Sequence, residues 1–178
     1  MSGYSEVLYV IFAMVIVSTM ALNANRVIQV NNVSMIEGQL EGQVIAYAQD
    51  IIEESRALAF DEETTDDASG NSVVPVYIPG GFSTLGKDTG ESGRTTFDDF
   101  DDFNGFSETK NFNGVDYLIT VEVQYLNHSS EYNTFSTAAG KSTLKQITVN
   151  VESDYLKKNP GSENTNYNFS FIRSYYAD

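Results

Sequence analysis

Four carboxylates crowd one short stretch of this chain. Asp98, Asp99, Asp101 and Asp102 lie in the order Asp-Asp-Phe-Asp-Asp-Phe-Asn-Gly. Oxygen ligands at that density suit a hard cation such as Ca²⁺. The order departs from the EF-hand loop, whose ligands alternate up to a glycine at the sixth position. The stretch therefore reads either as a calcium site or as a solvated loop whose Phe residues tuck onto a sheet. A thermal melt with and without millimolar Ca²⁺ separates the two. Another acid stands apart from all the rest. Glu6 heads the apolar run Val7 to Leu22, and a carboxylate at the edge of such a run is costly unless it is paired. Glu6 is thus a functional candidate, against the plainer reading of an acid at a helix N-terminus, favourable by about 0.3–1 kcal/mol.

Beyond these carboxylates the sequence offers little chemistry. The 178 residues include one histidine, His128, and no cysteine. A disulfide framework, a thiolate nucleophile and a cysteine-based zinc site are excluded. A Ser-His-Asp triad or a His-rich metal site is hard to build from one imidazole, and His128 reads as exposed in a polar loop. Ten Lys+Arg stand against 25 Asp+Glu, a formal net charge of −15. That balance opposes binding to nucleic acid and charge-driven adsorption on anionic membranes. Catalysis is therefore not the expected role. The Asn-x-Ser triplets at Asn32, Asn127 and Asn168 matter only where the host glycosylates such sites. The 11 Phe and 11 Tyr are accounted for by packing.

The elements that carry these residues divide the chain unevenly. Val7 to Leu22 reads VLYVIFAMVIVSTMAL, without a charge. A membrane span needs about 20 apolar residues, and Tyr4 and Ala24 can extend this run. A secretory signal peptide would carry basic residues before the run, but the first basic residue, Arg26, follows it. No proline occurs before Pro75, and Val33, Ile36, Leu40, Val44, Tyr47, Ile51 and Leu58 recur on one helical stripe. The pattern predicts one protruding helix over about residues 5–58, roughly 80 Å long at 1.5 Å per residue. Ser34, Gly38, Gly42 and Ala46 recur at steps of four. Such a series either admits a neighbouring backbone closely or merely loosens the helix, by about 1 kcal/mol per glycine. The acid- and turn-rich stretch from Asp61 to Gly70 ends the helix.

After Gly70 the period changes to two. Ile119, Val121, Val123 and Tyr125 alternate with polar residues, as do Ile147, Val149 and Val151, and Phe169 and Phe171 continue the theme. Val73 to Ile78 is a shorter candidate strand, with Pro75 placing it at an edge. Residues 79–114 should be mostly irregular, and Asn127 to Ser142 and Lys157 to Asn166 read as polar loops. The expected class is α+β: a long N-terminal helix packed by its second half on an antiparallel β-sheet. Residues 1–24 form the hydrophobic segment, 25–60 its amphipathic continuation and 61–178 the β-rich domain.

This architecture resembles the type IV pilin and pseudopilin family. An apolar N-terminal helix with one acid near its start is that family's hallmark, the acid being the fifth residue of the mature chain. Glu6 is fifth if the chain begins at Ser2 and sixth if it begins at Met1. The head Ser-Gly-Tyr-Ser-Glu lacks the usual hydrophobic first residue, residues 1–6 include no Lys or Arg, and the frequent helix-breaking proline is absent after the apolar run. A second likeness is to minor pilins of the mannose-sensitive-haemagglutinin type and related pseudopilins. It lies in Ala48 to Glu62, with its Phe-Asp-Glu exit, and in the doubled Asp-Asp of Phe97 to Phe106. The resemblance implies a structural subunit, not an enzyme, that rests in the inner membrane before assembly. It then joins identical copies in a helical filament on the cell surface, with the help of a pilus or secretion machinery. Val7, Leu8, Val10, Ile11, Phe12, Val15, Ile16, Val17 and Leu22 would pack the filament core. Glu6 would pair with the N-terminal ammonium of an adjacent subunit and set the axial register. Some pseudopilins bind calcium, but no cofactor is otherwise implied, and nucleic acid is not an expected partner. A pseudopilin or minor subunit, and a monomeric membrane-anchored β domain that binds a ligand, stay open as alternatives.

Overall fold

With no proline to interrupt it, the N-terminal pattern propagates as one helix. In the computed structural model, α1 runs Gly3–Ala57, 55 residues. The structure describes residues 3–67, 69–71, 73–130, 134–156 and 166–177. The chain divides into two compact units, one up to Gly42 and the other from Gln43 onward. In the first unit every described side chain from Gly3 to Gln39 is exposed.

In the second unit the end of α1 is buried on one face. Val44, Ala48, Ile51 and Ser55, spaced four, three and four apart, are fully covered. Tyr47 meets Tyr117 edge-on, ring centroids 5.4 Å apart. The helix ends on a cation. Arg173 donates to the carbonyls of Leu58 at 2.8 Å and Ala59 at 3.1 Å, just past the last turn. Both the carbonyls that follow the last turn and the negative end of the helix dipole favour a guanidinium there.

The sheet has five antiparallel strands: β1 (Ser107–Phe112), β2 (Val115–Ser129), β3 (Thr134–Thr137), β4 (Leu144–Glu152) and β5 (Asn166–Ser174). Their order is β1-β2-β4-β5, with β3 paired to the far end of β2. The class is α+β, as the patterning predicts. Asn113 and Gly114 turn β1 into β2, both at positive φ (53° and 82°). A two-residue hairpin needs that geometry, which Asn and Gly supply at least cost. Alternation fixes the register. Val121 faces Val149, which faces Phe169, and Ile119 faces Val151. Tyr117, Ile119, Val121, Val123, Ile147, Val149 and Val151 are buried on the core side.

Three local expectations change. Val73 to Ile78 forms no strand; Val74, Val76 and Tyr77 are exposed. Pro75 within it and Pro79 just after it have no N–H to donate, which works against a ladder there. The supposed loop Asn127 to Ser142 contains the end of β2 and all of β3, with His128 opposite Phe135. Alternating Thr and Phe suit a pleated edge there, a signal overridden by the polar composition. Within 79–114, β1 is a regular edge strand rather than irregular chain. The loop expected at Lys157 to Asn166 lies outside the described residues up to 165; Asn166 begins β5.

Candidate functional site

The apolar segment comes first in the chain. Glu6 lies in the first turn of α1 and is exposed. An 18-residue window of α1 has mean hydropathy 2.2 and none of it is buried, so by length and composition it can cross a membrane. Its weakly polar residues are satisfied locally. Ser18 donates to the carbonyl of Met14 at 2.7 Å, and Thr19 to that of Ile16 at 2.8 Å. These bonds hide both hydroxyls against the helix itself, so they do not spoil an apolar surface. Val7, Leu8, Val10, Ile11, Phe12, Val15, Ile16, Val17 and Leu22 are each more than half exposed. Ser34, Gly38, Gly42 and Ala46 are also exposed, and a Cβ at either glycine would meet nothing within 4 Å. Among the described residues, nothing fills the space beside either glycine.

The aspartate quartet is divided by the fold. Asp98 is exposed, whereas Asp99, Asp101 and Asp102 are buried in and beside the 3₁₀ turn Asp101–Phe103. Asp99 turns inward and its Oδ1 accepts from the backbone N–H groups of Asp101 (2.7 Å) and Asp102 (3.1 Å). Asp102 Oδ2 accepts from those of Asp98 (2.9 Å) and Asp99 (3.0 Å). Asp101 points toward the core. Two of the four, Asp98 and Asp102, instead converge with Glu91, their ligand oxygens within 4.8 Å of one another. Those three are the residues that could hold a divalent cation. The crowding shows in their protonation. Burial and the nearby Asp102 push Glu91 up to about 7. Burial and Asp98 push Glu62 up to about 6. Burial, with Asp101 beside it, raises Asp99 to about 8. Glu62 lies far from the quartet in sequence and Glu91 a short loop before it, and no spacing rule links either to it.

A buried polar cluster was not expected at all. Lys145 on β4 is fully buried, as are Asp61 and, on the turn, Asp101. Its Nζ donates to Asp61 Oδ2 at 2.7 Å, to the Phe60 carbonyl at 2.8 Å and to Asp101 Oδ1. The rings of Phe60 and Tyr125 wall it at 4.7 and 5.3 Å from the ammonium. Asp61 is held by a capping box: its Oδ1 accepts from Glu63 N–H at 3.3 Å, and its own N–H donates to Thr64 Oγ1 at 3.0 Å. One sequence signal did exist. Lys145 has the same parity as Ile147, Val149 and Val151, so the strand that buries them must bury it.

A second charge network lies at the surface of this unit. Arg94 Nη2 reaches Asp50 at 2.9 Å, and its Nε reaches Glu54 at 2.8 Å, joining the end of α1 to the stretch before β1. His128 is exposed on β2, its ring 5.2 Å from that of Phe135. Asn32, Asn127 and Asn168 are exposed. Comparison with protein-family models, with curated proteins and with solved structures gives no match to this chain.

Proposed function

We propose that this protein is a structural subunit of an extracellular type IV pilus-like filament, held in the inner membrane by residues 7–22 before assembly. The observation that carries the reading is the uncovered apolar segment of α1, with Glu6 as the sole acid at its head. Burying one Val, Leu, Ile or Phe side chain is worth about 1.5–3 kcal/mol, so a helix bearing this many exposed ones is driven into lipid or onto like helices. Membrane and filament then offer the same residues two successive apolar surroundings. Glu6 favours the filament. In lipid it must stay at the interface, whereas in a bundle an adjacent subunit's ammonium compensates it and fixes the axial step. The role is assembly rather than catalysis, and the net charge of −15 keeps neighbouring fibres apart.

Electron microscopy of sheared cell-surface material, with the chain detected by antibody, tests this reading. Filaments containing the chain along their length are expected. Label confined to tips points to a minor subunit. Label confined to the inner membrane points to a pseudopilin or to a monomeric anchored domain. Glu6→Ala is expected to reach the membrane fraction at normal level and to form no filaments. Normal filaments from that variant would remove Glu6 from the register role.

A further inference from the structure

Lys145 is a buried nucleophile with an acid at hydrogen-bond distance on two sides, and no role above uses it. Its Nζ and the carboxylates of Asp61 and Asp101 share one pocket with no exposure. Two aromatic rings and the Phe60 carbonyl close the remaining directions. In water an ammonium and a carboxylate stay ionised and do not condense. In a dry pocket charge is disfavoured, so the pair reaches its neutral form, amine and acid, by moving one proton across the contact. Holding the two groups together also supplies the proximity that a bimolecular condensation lacks.

The two carboxylates are not equivalent. Asp61 Oδ1 accepts from the Ser83 N–H at 2.6 Å and the Glu63 N–H at 3.3 Å. Its Oδ2 accepts from the Tyr125 hydroxyl at 3.1 Å and from Lys145. Those four donors fix the carboxylate of Asp61 in place beside the Lys145 nitrogen, where it can relay a proton. Asp101 accepts one backbone bond, from the Gly86 N–H at 3.1 Å, besides Lys145. Its carboxyl is fully buried against the Lys145 Nζ with that one other donor, which places it as the group that the amine attacks. We propose that Lys145 Nζ and Asp101 Cγ condense spontaneously into an internal amide, with Asp61 relaying the proton.

The step balances without any outside reagent. Lys145 gives one proton to Asp101, leaving a neutral amine and a carboxylic acid. The amine lone pair forms the N–C bond at Asp101 Cγ. Asp61 takes a proton from the nitrogen and passes it to the departing hydroxyl; the C–O bond breaks and water leaves. One ammonium and one carboxylate become one amide and one water, nothing is oxidised, and Asp61 ends as it began. The amide ties the central strand β4 to the turn 44 residues before it, in a chain that has no cysteine for a disulfide. The inference does not depend on the filament reading.

Proteolysis of the denatured full-length chain followed by tandem mass spectrometry tests it. The expected product is a branched peptide joining the Asp101 and Lys145 segments, lighter by one water than the two fragments together. Asp101→Ala should give only unbranched peptides. Asp61→Asn, which keeps both reacting groups, should leave most chains unlinked. Two separate peptides at their full sequence masses from the wild-type chain would overturn the proposal, as would water loss mapped to any other pair. Complete linkage in Asp61→Asn would overturn the assignment of Asp61. Because the wild-type chain decides, a variant that folds poorly does not blunt the test.

Discussion

Helix α1 uses the same kinds of residue in two opposite settings. Val44 and Ile51 are fully covered, whereas Val15 and Ile16 are 56% and 52% exposed. The second unit completes itself. Its apolar face finds the sheet, its helix end finds Arg173, and even its buried charges find partners. Among the described residues, the apolar side chains of the first unit have no such cover. Hydrophobic burial is roughly proportional to area taken from water, whatever supplies the cover. What the second unit gains intramolecularly, the first would gain, on the proposed reading, from lipid or from another subunit.

The sharpest way to break that comparison is to strip the second unit of its internal compensation. Lys145→Met keeps the volume and removes the ammonium, leaving Asp61 and Asp101 buried against each other. Loss of one partner from a buried ion pair costs about 3–5 kcal/mol. Urea unfolding of the detergent-solubilised chain should show the midpoint falling accordingly, by more still where the internal amide has formed. A loss under about 1 kcal/mol would mean that water reaches this pocket.

A matched pair of truncations along α1 comes next. Ile51→Ala should destabilise by about 2–5 kcal/mol, because it opens a cavity between helix and sheet. Ile16→Ala should change unfolding by less than about 0.5 kcal/mol, since its side chain touches no core. Equal costs at the two positions, read in the same urea titration, would abolish the distinction between the units.

How far the sequence showed all this depends on the range of the signal. The helix was legible because its cues are local: no proline, a sustained stripe and an acid-rich stop. Ile119 to Tyr125 and Ile147 to Val151 were legible because alternation is local too. β3 was not, since four exposed residues become a strand only by pairing with Leu126 to Ser129 of β2. The buried cluster was half legible. The parity of Lys145 announced its burial, but its partners lie 84 and 44 residues away, and no period connects them. The aspartate quartet shows the opposite failure. Adjacent acids suggested one shared site, yet a 3₁₀ turn sends neighbours in different directions, so Asp101 meets Lys145 while Asp102 meets Glu91.

The smallest predicted effect concerns those acids and has a definite sign. Glu91, ordinarily near 4.5, stands at about 7 in the folded chain, and Glu62 at about 6. Between the ordinary and folded values the native state holds more protons than the unfolded one. Stability therefore falls as pH rises through that window and is regained as pH drops back toward about 5. Asp99, raised to about 8, extends the loss upward. Below about 4 the trend must reverse. The Arg94 hydrogen bond holds Asp50 below its ordinary 3.8, and protonating Asp50 forfeits that bond. Thermal melts across this range should thus peak on the acid side of neutrality. Glu91→Gln removes one of the crowded charges without removing its volume. It should raise Tm at about pH 8, leave it nearly unchanged at about pH 5, and flatten the slope between them. The shift will be small, because Glu91 and Glu62 are only partly shielded from water. A lower Tm for Glu91→Gln at the alkaline end would show that Glu91 acts there as an attractive partner rather than a crowded like charge.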